Sequence, residues 1–99
     1  MSDDLREHIR RLSERAAAMG IGTAFRDAVR RVLEALRQDP RRAGDPLRNL
    51  RGLKMTEYRL LREQLVVNYS VHDRIPMVTV WRFQPTSGHP LAPPPHNGD

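Results

Sequence analysis

Cysteine is absent from this sequence, and that one absence removes disulfide scaffolds, thiolate zinc sites and thiol nucleophiles together. Lysine is nearly absent: sixteen of the seventeen cations are arginine, and Lys54 is the exception. A GC-rich genome explains that skew as readily as phosphate binding does. No apolar run approaches the ~20 residues of a membrane span. Met1-Ser2-Asp3-Asp4 is acidic where a secretory leader is basic and then apolar, so a cytoplasmic protein is expected. Length sets a further bound. About 80 foldable residues bury only about 60–65% of the surface of their unfolded chain, which argues against a deep internal active site.

What is present is unevenly placed. Between Arg41 and Arg62 seven cations (Arg41, Arg42, Arg48, Arg51, Lys54, Arg59, Arg62) face only Asp45 and Glu57, a net of +5. The other ten cations are matched by ten acids, so this segment holds the whole formal charge of +5. Its placement suggests an acidic or polyanionic partner, against the plainer reading of a solvated loop and strand edge.

Two amphipathic helices open the chain. Ser2 is a good N-cap, with Asp3, Asp4 and Glu7 at the positive end of the helix dipole. Leu5, Ile9, Leu12, Ala16 and Met19 then fall at helical spacing, and Gly20 supplies a left-handed stop, giving a helix over 3–19. Thr23 reads as the second cap, and Phe25, Ala28, Val29, Val32, Leu33 and Leu36 make a wider stripe over 23–38. Asp39-Pro40 ends it. So short a link folds the two helices back as an antiparallel hairpin.

Residues 40–52 read as an irregular crossing with Leu47, Leu50 and Leu53 on the core. The period then changes to that of strands at 54–61, 65–71 and 77–83. The clearest is 65–71, with Leu65, Val67, Tyr69 and Val71 on one face and Val66, Asn68 and Ser70 on the other. Short links make the three strands antiparallel neighbours. From Gln84 the chain holds five of the eight prolines, and a disordered tail over 84–99 is expected. The expected fold class is therefore α+β, a helix hairpin on one face of a three-stranded meander.

Most site motifs fall away. Gly20-Ile21-Gly22-Thr23-Ala24-Phe25 opens a helix but follows no strand, and Phe25 takes the third glycine position of a nucleotide loop. His8, His72, His89 and His96 are not spaced as metal ligands, so neither a metal nor a cofactor is expected. The third strand is more informative. If Val78 and Val80 face the helices, then Met77, Thr79, Trp81 and Phe83 form an outward apolar strip, of the kind that marks binding sites. The opposite register buries Trp81 and Phe83 and exposes the valines.

The order of these elements resembles the RelE/ParE toxin superfamily of bacterial toxin–antitoxin systems over residues 23–91. The similar residues are Phe25, Leu36-x-x-Asp39-Pro40, Gly44-Asp45-Pro46-Leu47, Tyr58-Arg59-Leu60, Val67-Asn68-Tyr69-Ser70-Val71 and His89-Pro90-Leu91. The usual first strand is missing. In the ribonuclease branch, basic groups on the middle strands and a basic-plus-tyrosine set after the last strand drive attack by RNA's 2′-hydroxyl. By position, Arg59, Arg62 and Arg82 match those basic groups, and His89 replaces the acid–base tyrosine. Val66 stands where a further basic residue is expected.

The resemblance therefore leans towards the branch that binds a protein target such as DNA gyrase, or towards an inactive relative. It implies an antitoxin partner, met by Arg48, Arg51, Lys54, Met77, Thr79, Trp81 and Phe83. A RelE-like messenger-RNA endonuclease, ribosome-associated or free, is the alternative, and a non-catalytic basic nucleic-acid-binding module the third reading. No membrane partner is implied.

Overall fold

The computed structural model describes residues 3–92. The expected cap at Ser2, the histidine at position 96 and the last seven residues of the proline-rich segment lie outside that range. Among the described residues no helix is long and apolar enough to cross a membrane.

The first helix, α1, spans Asp3–Ala18 and buries Leu5, Leu12 and Ala16. It stops as its sequence dictates: Gly20 takes φ 78°, the Gly20 amide donates to Ala17 and the Ile21 amide reaches back to the Ala16 carbonyl. This is the glycine-terminated crossing of two hydrogen bonds that satisfies the last carbonyls of a helix. Met19 falls beyond the last helical residue and is half exposed, so it leaves the stripe.

The second helix, α2, spans Gly22–Gln38 and buries Phe25, Ala28, Val32 and Leu36. It begins before Thr23. Ile21 holds the N-cap position, and no side chain caps it. Gly22 permits the early start, because a Cβ there would lie 3.1 Å from the Ala17 Cα.

Residues 40–52 are more regular than expected. Pro40 opens a short helix, α3 (Pro40–Ala43), as proline can at a first helical position. A strand follows, β1 (Asp45–Leu50), and then a 3-10 turn over Arg51–Leu53. The sheet therefore has four strands. Alternation could not reveal β1, because Pro46 interrupts it and a bulge at Leu47 shifts its register. Leu47 and Leu53 are 44% and 59% exposed, and they lie on the edge strand and its turn rather than in the core.

The meander continues as β2 (Met55–Arg62), β3 (Leu65–His72) and β4 (Val78–Pro85), all antiparallel in the order β1-β2-β3-β4. Glu63 and Gln64 join β2 to β3 at φ 56° and 60°, a two-residue turn whose twist suits the hairpin. Leu65, Val67, Tyr69 and Val71 are all buried beneath the helices, with Tyr58 stacked on Tyr69 at 5.3 Å. The Tyr69 hydroxyl donates to the Pro40 carbonyl at 2.5 Å and ties α3 to the sheet. Gly44 leaves room for it, since a Cβ there would sit 2.6 Å from the Arg59 carbonyl and 2.9 Å from that hydroxyl.

In β4 both expected registers are half right. Tyr69 pairs with Val80 and Asn68 with Arg82, so Trp81 is an extra residue in the ladder. This bulge flips the phase of the strand. Val80 before it and Phe83 after it both enter the core, at 9% and 1% exposure, while Trp81 stays 55% exposed. Beyond Phe83 the described residues, to Ala92, remain on the body of the fold. Gln84 and Pro85 belong to β4, and Leu91 is fully buried.

Candidate functional site

Both helices pack on one side of the sheet. Among the described residues nothing covers the other side, and strand alternation assigns its side chains. From β2 come Glu57, Arg59 and Leu61, from β3 Val66, Asn68 and Ser70, and from β4 Thr79, Trp81, Arg82 and Gln84.

The middle of this side is a cross-strand row. Arg59 pairs with Asn68, and Asn68 pairs with Arg82, so two exposed guanidinium groups flank one carboxamide. The Arg82 guanidinium donates to Gln84 Oε1 at 2.7 Å. The Asn68 Oδ1 atom is buried and has no hydrogen-bond partner among the described residues. An acceptor left in that state costs on the order of 1–3 kcal/mol.

Beside the row stands Trp81. Its indole N–H donates to the Ser70 hydroxyl, and Ser70 is only 1% exposed although it points away from the helices. The bond ties the indole to β3, while Trp81 as a whole stays 55% exposed. Leu61, 67% exposed, adds apolar surface on β2. At the β1 side Arg48 meets Glu57 at 2.7 Å.

The structure brings together only part of each expected set. Arg59 and Arg82 share the open side. Arg62 pairs with Leu65 and lies on the helix side, beside Arg30, Arg31 and Glu34 of α2. His89 also lies on the helix side. Its ring meets Phe25 edge-on at 6.2 Å, and its Nδ1 accepts the Leu91 amide at 3.0 Å. Burial there pushes its pKa below the ordinary histidine value. His89 is therefore held by the fold, but the sheet separates it from Arg59 and Arg82.

Of the expected partner-binding residues, Trp81 and Thr79 are on the open side, whereas Phe83 is core. Arg51 and Lys54 are exposed on the turn between β1 and β2, and Met77 lies at the same end of the sheet, in the loop before β4, whose Asp73 amide donates to the Lys54 carbonyl. The basic segment is likewise dispersed. Arg42 pairs with Asp39, Arg41 donates to the His72 carbonyl and Arg48 is bound to Glu57. Among the described residues no three His, Cys, Asp or Glu side chains come together as a metal site.

Asn68, Ser70 and Leu61 were not singled out by sequence reading. The alternation of β3 already placed Asn68 and Ser70 opposite the core, but nothing in the sequence marked the bulge that seats Trp81 over Ser70. Comparison with protein-family models, characterised proteins and solved structures finds no match, so the functional reading rests on this chain's own residues.

Proposed function

We propose that the open side of the sheet is a protein-docking surface, and that the chain is a toxin-like module of RelE/ParE type acting by binding a protein target. An antitoxin would occupy the same side and mask it. The observation that carries the reading is the pairing of Trp81 with Ser70. An exposed aromatic already tied by a hydrogen bond loses less freedom on binding, which favours it as an interface anchor. Arg59 and Arg82 border it and complement an acidic rim.

Inducible expression in a bacterial host tests this reading. Growth arrest is expected, with no new messenger-RNA ends. Trp81→Asp should relieve the arrest, while Arg62→Ala and His89→Ala leave it in place. Arrest that persists in Trp81→Asp, or no arrest from the parent chain, overturns the proposal.

One observation favours the ribonuclease reading: Arg59 and Arg82 align across the sheet on either side of Asn68. Against it, His89 is out of reach of that row, and acid–base catalysis needs a group within hydrogen-bond distance. The double substitution Arg59→Ala/Arg82→Ala separates the two readings. Loss of new RNA ends together with loss of arrest would select the ribonuclease.

A further inference from the structure

A second surface lies on the helix side, away from the open face. A groove of about 710 Å³ runs between the end of α2, the start of α3 and the loop that joins β3 to β4. Leu33, Leu36, Val71 and Val80 form its floor. Its lip is made by Ile75 and Met77, which are 50% and 40% exposed although both are large and apolar.

The lip is built rather than loose. His72 Nδ1 accepts the amides of both Arg74 and Ile75, at 3.1 and 3.2 Å. The His72 amide donates to the Met77 carbonyl, and the Asp73 amide to that of Lys54.

Three guanidinium groups surround the groove, each from a different element: Arg37 of α2, Arg41 of α3 and Arg74 of the loop. Among the described residues no carboxylate lines it. Arg41 is steadied by its bond to the His72 carbonyl. Arg37 and Arg74 make no ion pair among the described residues. The nearest acids in sequence are engaged elsewhere, Asp39 with Arg42 and Asp73 with the Thr56 hydroxyl.

The geometry points to this groove as the docking site for an acidic amphipathic segment of a partner protein. The charge arrangement selects that occupant. Three separated cations call for several separated anions, whereas a single-headed amphiphile such as a fatty acid neutralises one. A nucleic acid supplies the charges but has nothing to place on a floor of leucine and valine. An amphipathic segment supplies both, with apolar side chains at helical spacing and carboxylates along its flanks. The inference does not depend on the open-side reading, because the two surfaces share no residue.

The test uses the full chain, labelled with nitrogen-15 and titrated with four probes. These are a synthetic helical peptide of leucines and glutamates, the same peptide with lysine for glutamate, dodecanoate, and a short single-stranded oligonucleotide. The glutamate peptide should shift the amides of Arg37, Ile75, Met77 and Val78 while leaving Asn68 and Trp81 in place. Arg37→Glu/Arg74→Glu should weaken it about ten-fold through loss and reversal of two charge contacts. Both positions are exposed, so the double variant keeps its fold, and Arg37→Gln/Arg74→Gln is the milder check.

Four results overturn the inference. They are absence of groove shifts with the glutamate peptide, equal binding of the lysine peptide, a stronger groove response to dodecanoate or the oligonucleotide, and shifts centred on Trp81. Failure of the growth assay above leaves this result standing, and the reverse also holds.

Discussion

The two sides of β3 differ more than their sequences do. Towards the helices, Leu65, Val67, Tyr69 and Val71 are all at or below 3% exposure. Away from them, Val66, Asn68 and His72 keep some surface, and only Ser70 disappears. On the first side many residues from several elements do the covering; on the second, the bulge seats one indole over one hydroxyl. Burial on the helix side comes from core packing, whereas burial of Ser70 accompanies its hydrogen bond from the Trp81 indole.

Phe83 and Trp81 give that contrast its largest test. Phe83→Ala empties a fully packed site and should cost about 3–5 kcal/mol, enough to unfold much of a marginal domain. Trp81→Ala removes an exposed ring and one hydrogen bond, and should cost about 1 kcal/mol or less. Urea titration of both variants checks this, and equal losses would erase the distinction between the two sides.

Gly44→Ala comes next. The added methyl meets the Arg59 carbonyl and the Tyr69 hydroxyl, and backbone must shift to admit it, for an overpacking cost of about 1–3 kcal/mol. Thermal unfolding reads it directly, and an unchanged midpoint would show that α3 is not braced against the sheet.

Tyr69 sharpens the same point through pH. Burial pushes its hydroxyl up to about 12, with the Gly44 backbone opposing the rise. The unfolded chain ionises first, near pH 10, while the folded chain keeps its proton. Stability from this group is therefore full below pH 10 and is lost as pH rises towards 12. Tyr69→Phe should remove that alkaline loss while costing about 1 kcal/mol at neutral pH, for the bond to Pro40. A parallel alkaline decline in both proteins would assign the loss to other groups.

The smallest effect belongs to Arg48. It is exposed although it meets Glu57 closely, and Arg48→Ala should change stability by about 0.5 kcal/mol or less. A larger value would make the β1 edge part of the stable body of the fold.

Residue pattern explains why the helices were legible and β1 was not. Leu5, Leu12 and Ala16, then Phe25, Ala28, Val32 and Leu36, repeat at a helical period with a glycine stop between them. That signal is local. Asp45–Leu50 takes its strand form from its ladder to β2, and neither pairing nor bulges are written into a single strand's composition. Trp81 is the sharper case. Its side of the sheet depends on an extra residue in the ladder, so simple alternation keeps Trp81 and Phe83 on one face when they lie on opposite ones. The candidate site was legible as an uncovered side flanked by arginines. Its centre at Asn68 and Ser70 was not, because it emerges from register across three strands.

The outer edge of β1 has one more consequence. A meander with two bare rims can recruit further strands and grow into a fibre. Here α1 reaches one rim, where His8 Nε2 lies 3.1 Å from the Phe83 carbonyl. At the other rim Pro46 lacks an amide to offer, Asp45 and Arg48 bring charge, and the kink at Leu47 breaks the flat row that a polymer needs. The molecule can thus keep a sticky aromatic patch without stacking edge to edge on copies of itself.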